Sequence, residues 1–203
     1  YTYKLNFGDQ ETDETGAATI QHTFRNEGQS GVAGTDKTYT ITATYTNNLG
    51  CSASASTNVT VYPEISPSFT FVKETECSPM NVTLINSTIN GTRFDWTFGD
   101  GQSETKNNNL QFKHQYTNSS ADGNSISTYT IKMVAIDANH TECRDSSTIN
   151  IDIYPQVIAA FDTENATGCS PLTTTFTNNS KGYGLTYLWD YAHDNVQSAT
   201  TDN

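Results

Sequence analysis

The residues of this chain whose types could do chemistry come mostly in pairs. Cys51 and Cys143, Cys77 and Cys169, and His22 and His114 are each 92 positions apart. Thiols at such positions could form disulfides, and imidazoles with thiols could hold a metal. Asp9, Asp100 and Asp137 could offer oxygens to Ca²⁺, and Trp96 and Trp189 could stack on sugars. Each has a plainer alternative. A Ca²⁺ site takes about six to eight oxygens, and the chain has no dense Asp-x-Asp-x-Asp loop to supply them. No Cys or second His stands at metal-ligand spacing from His22 or His114. Trp96 falls on the apolar parity of an alternating stretch, where a buried ring is expected. No Ser-His-Asp set or carboxylate pair stands out by spacing. Recurrence in register marks these residues as parts of a fold, and no residue is singled out as catalytic.

The elements that position them repeat with the same period. Tyr62-Pro63-Glu64-Ile65 returns as Tyr154-Pro155-Gln156-Val157, and Cys77-Ser78-Pro79-Met80 as Cys169-Ser170-Pro171-Leu172. His22-Thr23-Phe24 returns as His114-Gln115-Tyr116, and Phe94 to Gly101 has weak echoes at Tyr3 to Gln10 and Tyr187 to Asp194. A period this long indicates an array of similar domains. It divides the chain into residues 1–63, lacking the first strands of a unit, a complete unit at 64–155, and the first half of a third at 156–203. A unit of this length can enclose one small core.

Within the complete unit, alternation has period two. Phe94, Trp96 and Phe98 share one parity, as do Tyr129, Ile131, Met133 and Ala135, and then Ile149, Ile151 and Ile153. Such runs of aromatic and β-branched residues predict half-buried strands. They are placed at 66–72, 80–86, 93–98, 109–117, 127–137 and 146–154, with a short strand after Gly101. Asn90-Gly91, Gly99-Asp100-Gly101, Asp122-Gly123-Asn124 and Asp137-Ala138-Asn139 supply turns. Thr117 to Ser127 reads as a long loop whose counterpart is Asn26 to Asp36. Gly8 and Gly99 with Asp9 and Asp100, and Gly101 after them, form structural turns: glycine tolerates otherwise forbidden backbone angles and the aspartate bonds nearby amides. Phe94, Trp96, Phe98, Tyr129 and Trp189 are the expected core aromatics. Tyr-Pro ends one unit and the next begins at once, so neighbouring units should stack with little freedom, each about 33 Å long plus loops.

Composition narrows the role. Of 203 residues, 22 are acidic and 10 basic, for a net charge of −12. Nucleic-acid binding and docking on an anionic membrane are disfavoured, because both need Lys and Arg. No run approaches the roughly 18 apolar residues of a membrane span. No basic start followed by an apolar run is visible, and since the chain opens inside a repeat its natural N-terminus is expected elsewhere.

Phe94-Asp95-Trp96-Thr97-Phe98-Gly99-Asp100-Gly101, followed by His114-Gln115-Tyr116 and Tyr129 to Asp137, resembles the signature of the polycystic kidney disease (PKD) domain family. The resemblance spans residues 64–155. The flanking units depart from it: Gln10 replaces the second glycine, and Ala192-His193 stand where Gly-Asp is expected. The resemblance implies an all-β fold of tandem immunoglobulin-like sandwiches in a rod-like array, used as spacer, stalk or adhesive modules in large extracellular proteins. Cys-Ser-Pro before the second strand, with a further Cys opening the last, is similar to repeats of secreted Bacteroidota surface proteins, including gliding-motility adhesins exported by the type IX system. Some PKD-like modules bind Ca²⁺; otherwise no cofactor is implied.

In such a sandwich, Cys77 precedes the second strand and Cys143 opens the last, at opposite poles. Three states stay open for Cys51, Cys77, Cys143 and Cys169: a staple from Cys77 to the Cys143 position of the following unit, a Cys77–Cys143 bond within the unit, or free thiols. Asn58, Asn81, Asn86, Asn90, Asn118, Asn139, Asn165 and Asn178 head glycosylation sequons. The expectation is a structural or adhesive segment of a cell-surface protein whose partners are neighbouring repeats or other copies in a filament or lattice. The alternatives are the accessory region of a secreted hydrolase, or a surface-layer component.

Overall fold

The computed structural model describes residues 2–17, 19–27, 34–190 and 197–201. Among them the chain is all-β, with no helix and five antiparallel sheets. Residues before Glu64 contribute β1 (Thr2–Asn6), β2 (Thr12–Asp13), β3 (Lys37–Thr46) and β4 (Ser52–Val61). They form one sheet in the order β2-β1-β3-β4.

The central segment contributes β5 (Phe69–Lys73), β6 (Met80–Asn86), β7 (Arg93–Thr97), β8 (Ser103–Lys106), β9 (Phe112–Tyr116), β10 (Ser127–Ile136) and β11 (Arg144–Ile153). They make a sheet β11-β10-β7-β8 and a second sheet β5-β6-β9. The two sheets share one core. Phe69, Met80, Val82 and Leu84 come from the second, and Phe94, Trp96, Ile131, Met133, Ala135, Ile151 and Ile153 from the first. The alternation is realised in burial: Phe94, Trp96 and Phe98 are buried, while Thr97 between them is exposed. Every member of this cluster lies between Ile65 and Ile153. At about 1.5–3 kcal/mol for each large apolar side chain removed from water, this is the part of the chain best able to fold on its own.

After Pro155 come β12 (Phe161–Glu164), β13 (Thr175–Asn178), β14 (Thr186–Asp190) and β15 (Gln197–Thr201), in two hairpins. Trp189, expected in a core, is only half-buried, against Phe161 and Phe176 at 5.5 and 5.8 Å between ring centroids. Ala192-His193, the expected divergent turn, lie outside the described residues.

Three strands start at residues other than those read from the sequence, and five end one residue away from the expected position. The first strand begins at Phe69 instead of residue 66, because Ser66 forms an isolated bridge to Ile89 and Pro67, lacking an N–H, cannot extend the ladder. The fifth begins at Phe112, since Asn108 Oδ1 draws the Leu110 amide into a local turn. The last begins at Arg144 and not at residue 146, adding two residues to the ladder with β10.

The spacing is also less uniform than 92. Tyr39 pairs with Val59, whereas Tyr129 pairs with Ile151, so β10 follows β3 at an offset of 90. The turn from Asp137 to Cys143 is two residues longer than that from Asn47 to Cys51, and the preceding loop is two shorter, which restores the period. Ser66↔Ile89 and Ile158↔Lys181 keep the offset of 92, as do the cis peptides before Pro79 and Pro171.

Candidate functional site

The turn residues and the histidines turn out to be partners. His114 Nε2 meets Asp100 Oδ2 at 2.8 Å, and its ring stacks on Phe98 with centroids 3.8 Å apart. His22 meets Asp9 Oδ2 at 2.6 Å and stacks on Phe7, also at 3.8 Å. The other carboxylate oxygen of each aspartate closes the turn, accepting from the amides of Gln102 and Glu11. Gly99 has φ +81°, and a Cβ there would lie 2.8 Å from the Thr130 backbone. Gln10 takes φ +82° without being glycine, so the first turn carries strain that Gly101 spares the second. The His22 bond holds the Asp9 carboxyl below the usual carboxylate range. Tyr116 closes the constellation: its hydroxyl donates to the Phe98 carbonyl at 3.1 Å, and burial raises its pKa. Among the described residues the partners of each His–Asp pair are the turn and a stacked ring, so what the arrangement does is tie a turn to a core ring.

A second group of polar residues gathers where the segments join. The connecting residue Glu64 is held from both sides. Its amide donates to the Asn26 carbonyl at 3.0 Å, and its carbonyl accepts from Asn90 Nδ2 at 2.7 Å. Asn90 Oδ1 in turn accepts from the Gly34 amide. Gly34 lies so close to Pro63 that a Cβ would fall 2.5 Å from the proline ring. Asn90 sits at φ +63°, a left-handed conformation asparagine tolerates better than most residues. Tyr62 lays its ring on His140, centroids 3.5 Å apart and 21° from parallel. His140 is fixed by Asp137 Oδ2 at 2.9 Å, and that bond lowers the Asp137 pKa.

The loop before each joint is pinned in the same way. Asn26 Nδ2 donates to the carbonyls of Thr35 and Val61 at 2.9 and 2.8 Å. Asn118 Nδ2 does so to Ser125 and Ile153 at 2.9 and 2.7 Å. At the second joint Asn124 Oδ1 accepts from the Gly182 amide at 3.0 Å, and Tyr154 packs on Tyr183 at 5.4 Å. Gly182 stands 92 residues after Asn90. The same loop therefore meets the same turn at both joints, with the side-chain partner exchanged. Asp122 braces that loop: the Asn124 amide, then Ser125, lower its pKa to about 2.

The cysteines are free, with Cys51, Cys77 and Cys169 exposed and Cys143 half-exposed. Cys77 pairs in parallel with Tyr154 beyond the end of β11, whereas Cys143 precedes its first residue, Arg144. The length of that strand, about 30 Å, separates them, which rules out a bond within the central segment, since a disulfide needs Cα atoms about 5.5 Å apart. Of the sequon asparagines, Asn86 is buried and Asn90 and Asn118 are engaged as described.

Sequence reasoning singled out Asp100, His114 and Asp137 separately and did not pair them. The near-equal separations of Asp9–His22 and Asp100–His114, 13 and 14 residues, were the available signal. It did not single out Asn26, His140 or Gly34. Comparison with protein-family models, with curated proteins and with solved structures yields no match.

Proposed function

We propose that this chain is part of a long extracellular protein built from tandem immunoglobulin-like sandwiches of the PKD type, divided at 1–63, 64–155 and 156–203. Its work is mechanical: it spaces and stiffens, and so presents a binding region carried elsewhere in a cell-surface adhesin or filament. The observation that carries this reading is the grip on Glu64, bonded at its amide by the unit before and at its carbonyl by the unit after. A connection meant to swivel would leave such a residue solvated. The recurrence of a loop-to-turn bond at the second joint supports one stacking geometry propagated along an array. The His–Asp pairs fit a role in fixing the turn that follows the aromatic strand of a unit.

Residual dipolar couplings test this. If the units are stacked rigidly, amides of β3 and β4 and amides of β10 and β11 fit a single alignment tensor. Two independent tensors would mean a flexible tether and would overturn the reading.

A further inference from the structure

One cysteine position of the repeat pairs with the junction tyrosine, and the turn that carries the other packs on the tyrosine in register with it. At the second joint Cys77 is held against Tyr154: the Ser78 amide donates to the Tyr154 carbonyl at 2.8 Å, and the Tyr154 amide to the Glu76 carbonyl at 3.3 Å. Cys77, Tyr154, Pro155, Val157 and Tyr183 line one shallow cavity that opens between the segments. At the first joint the residue in register with Tyr154 is Tyr62, and it is covered by the turn that carries Cys143. That turn is closed by bonds from the Cys143 amide to the His140 carbonyl at 2.8 Å and from the Asp137 amide to the Cys143 carbonyl at 3.0 Å. Cys143 is half-exposed at the rim of the core. After burial and Glu142 and Asp137, Asp36 of the preceding segment helps raise its pKa, which puts the thiol within electrostatic range of the neighbouring unit. Carried through the 92-residue repeat, the Cys77 position and the turn bearing the Cys143 position both lie beside the junction tyrosine, one from each of two successive units.

The geometry points to a disulfide between successive units, joining the Cys77 position of one to the Cys143 position of the next, so that the array is stapled covalently at each joint. This inference rests on the tandem reading above. Cys77, Cys143, Cys51 and Cys169 each then pair with a residue of an adjoining repeat and not with one another, in keeping with the four free thiols. The chemistry is thiol–disulfide exchange with a low-molecular-weight disulfide such as oxidised glutathione. One thiolate attacks it and expels a glutathione thiolate; the second attacks the mixed disulfide and expels another. Two cysteine thiols are oxidised to one S–S bond and the glutathione disulfide is reduced to two thiols.

The test lengthens the full chain by a second copy of residues 64–155 inserted after Pro155. The new joint reads Tyr154-Pro155-Glu64-Ile65, matching the natural Tyr62-Pro63-Glu64-Ile65. One variant carries Cys143→Ser in the first copy and Cys77→Ser in the second, leaving the two thiols that face each other across the new joint. The mirror variant carries Cys77→Ser in the first copy and Cys143→Ser in the second, leaving the two that face away. In a glutathione redox buffer the first is expected to lose two reactive thiols and yield a linked peptide that reductant releases; the mirror variant is expected to keep all its thiols. Small-angle scattering on the same samples reports whether the added copy extends the particle by about 30–40 Å. Extension with thiols still free in the first variant, or equal linkage in both, overturns the staple alone. No extension overturns the array and the staple with it.

Discussion

Asn90 Nδ2 donates to the carbonyl of Glu64 at 2.7 Å, and Oδ1 of the same amide accepts from Gly34 on the other side of the joint. One side chain thus bonds two segments whose cores are separate. Replacing Asn90 with glycine keeps its φ of +63° accessible and deletes both bonds. At about 0.5–1.5 kcal/mol per bond, the joint should open roughly tenfold more often. Glutamyl endopeptidase cleavage after Glu64 should quicken by a similar factor, while the unfolding midpoint of the central segment barely moves.

The paired turns predict a ranking. Gly99→Ala meets both a disfavoured φ and the Thr130 backbone, whereas at Gly101 (φ +89°) a Cβ meets nothing within 4 Å. Gly101→Ala should cost about 1 kcal/mol, and Gly99→Ala about 3 kcal/mol or more. Urea unfolding followed by Trp96 fluorescence measures both; equal costs would show that the turn shifts to make room.

The two tryptophans should separate in urea unfolding followed by far-ultraviolet circular dichroism, which reads the strands without either indole. Trp96 is 1 % exposed between the edges of Phe69 and Phe112, so Trp96→Ala should cost about 3–5 kcal/mol. Trp189 is half-buried, and Trp189→Ala should cost less than half as much.

Acid should loosen particular loops first. Asp9 is lowered by His22, and Asp122 is lowered to about 2 by the Asn124 amide and Ser125. A carboxyl whose folded pKa lies below its unfolded value of about 3.9 contributes stability above that pH and loses it as pH falls through the folded pKa. Carboxyl carbon chemical shifts should place the Asp122 midpoint near 2. In Asp9→Asn, amides around Phe7–Glu11 should lose the pH dependence seen below about 4.

Much of this architecture was legible in the sequence because it follows from backbone demands. Gly99, Asp100 and Gly101 announce a turn by residue type, and Phe94, Trp96 and Phe98 announce a buried face by parity. The joints were not legible in the same way. His140 lies in the turn that is two residues longer in the central segment, so the period passes over it. Asn90 has Gly182 in register, so the repeat hides the fact that both turns bond the loop before them. The burial expected of Trp189 is only partial for a related reason: parity gives the side of a strand, while burial depends on what covers it, and among the described residues the rings against it are Phe161 and Phe176.

Tension applied along the chain enters the central segment at Glu64 and leaves at Pro155. The residues it reaches near the exit, Glu76 to Ser78, run parallel to the end of β11 and are bonded to Tyr154 through both its amide and its carbonyl. Parallel strands pulled from opposite ends slide past one another, so these bonds share the load and must yield together, whereas a hairpin opened from its tip yields one bond at a time. The short Cys77–Tyr154 bridge is thereby the shear clamp of the unit, and rupture force in single-molecule stretching would be set there before it is set by the core.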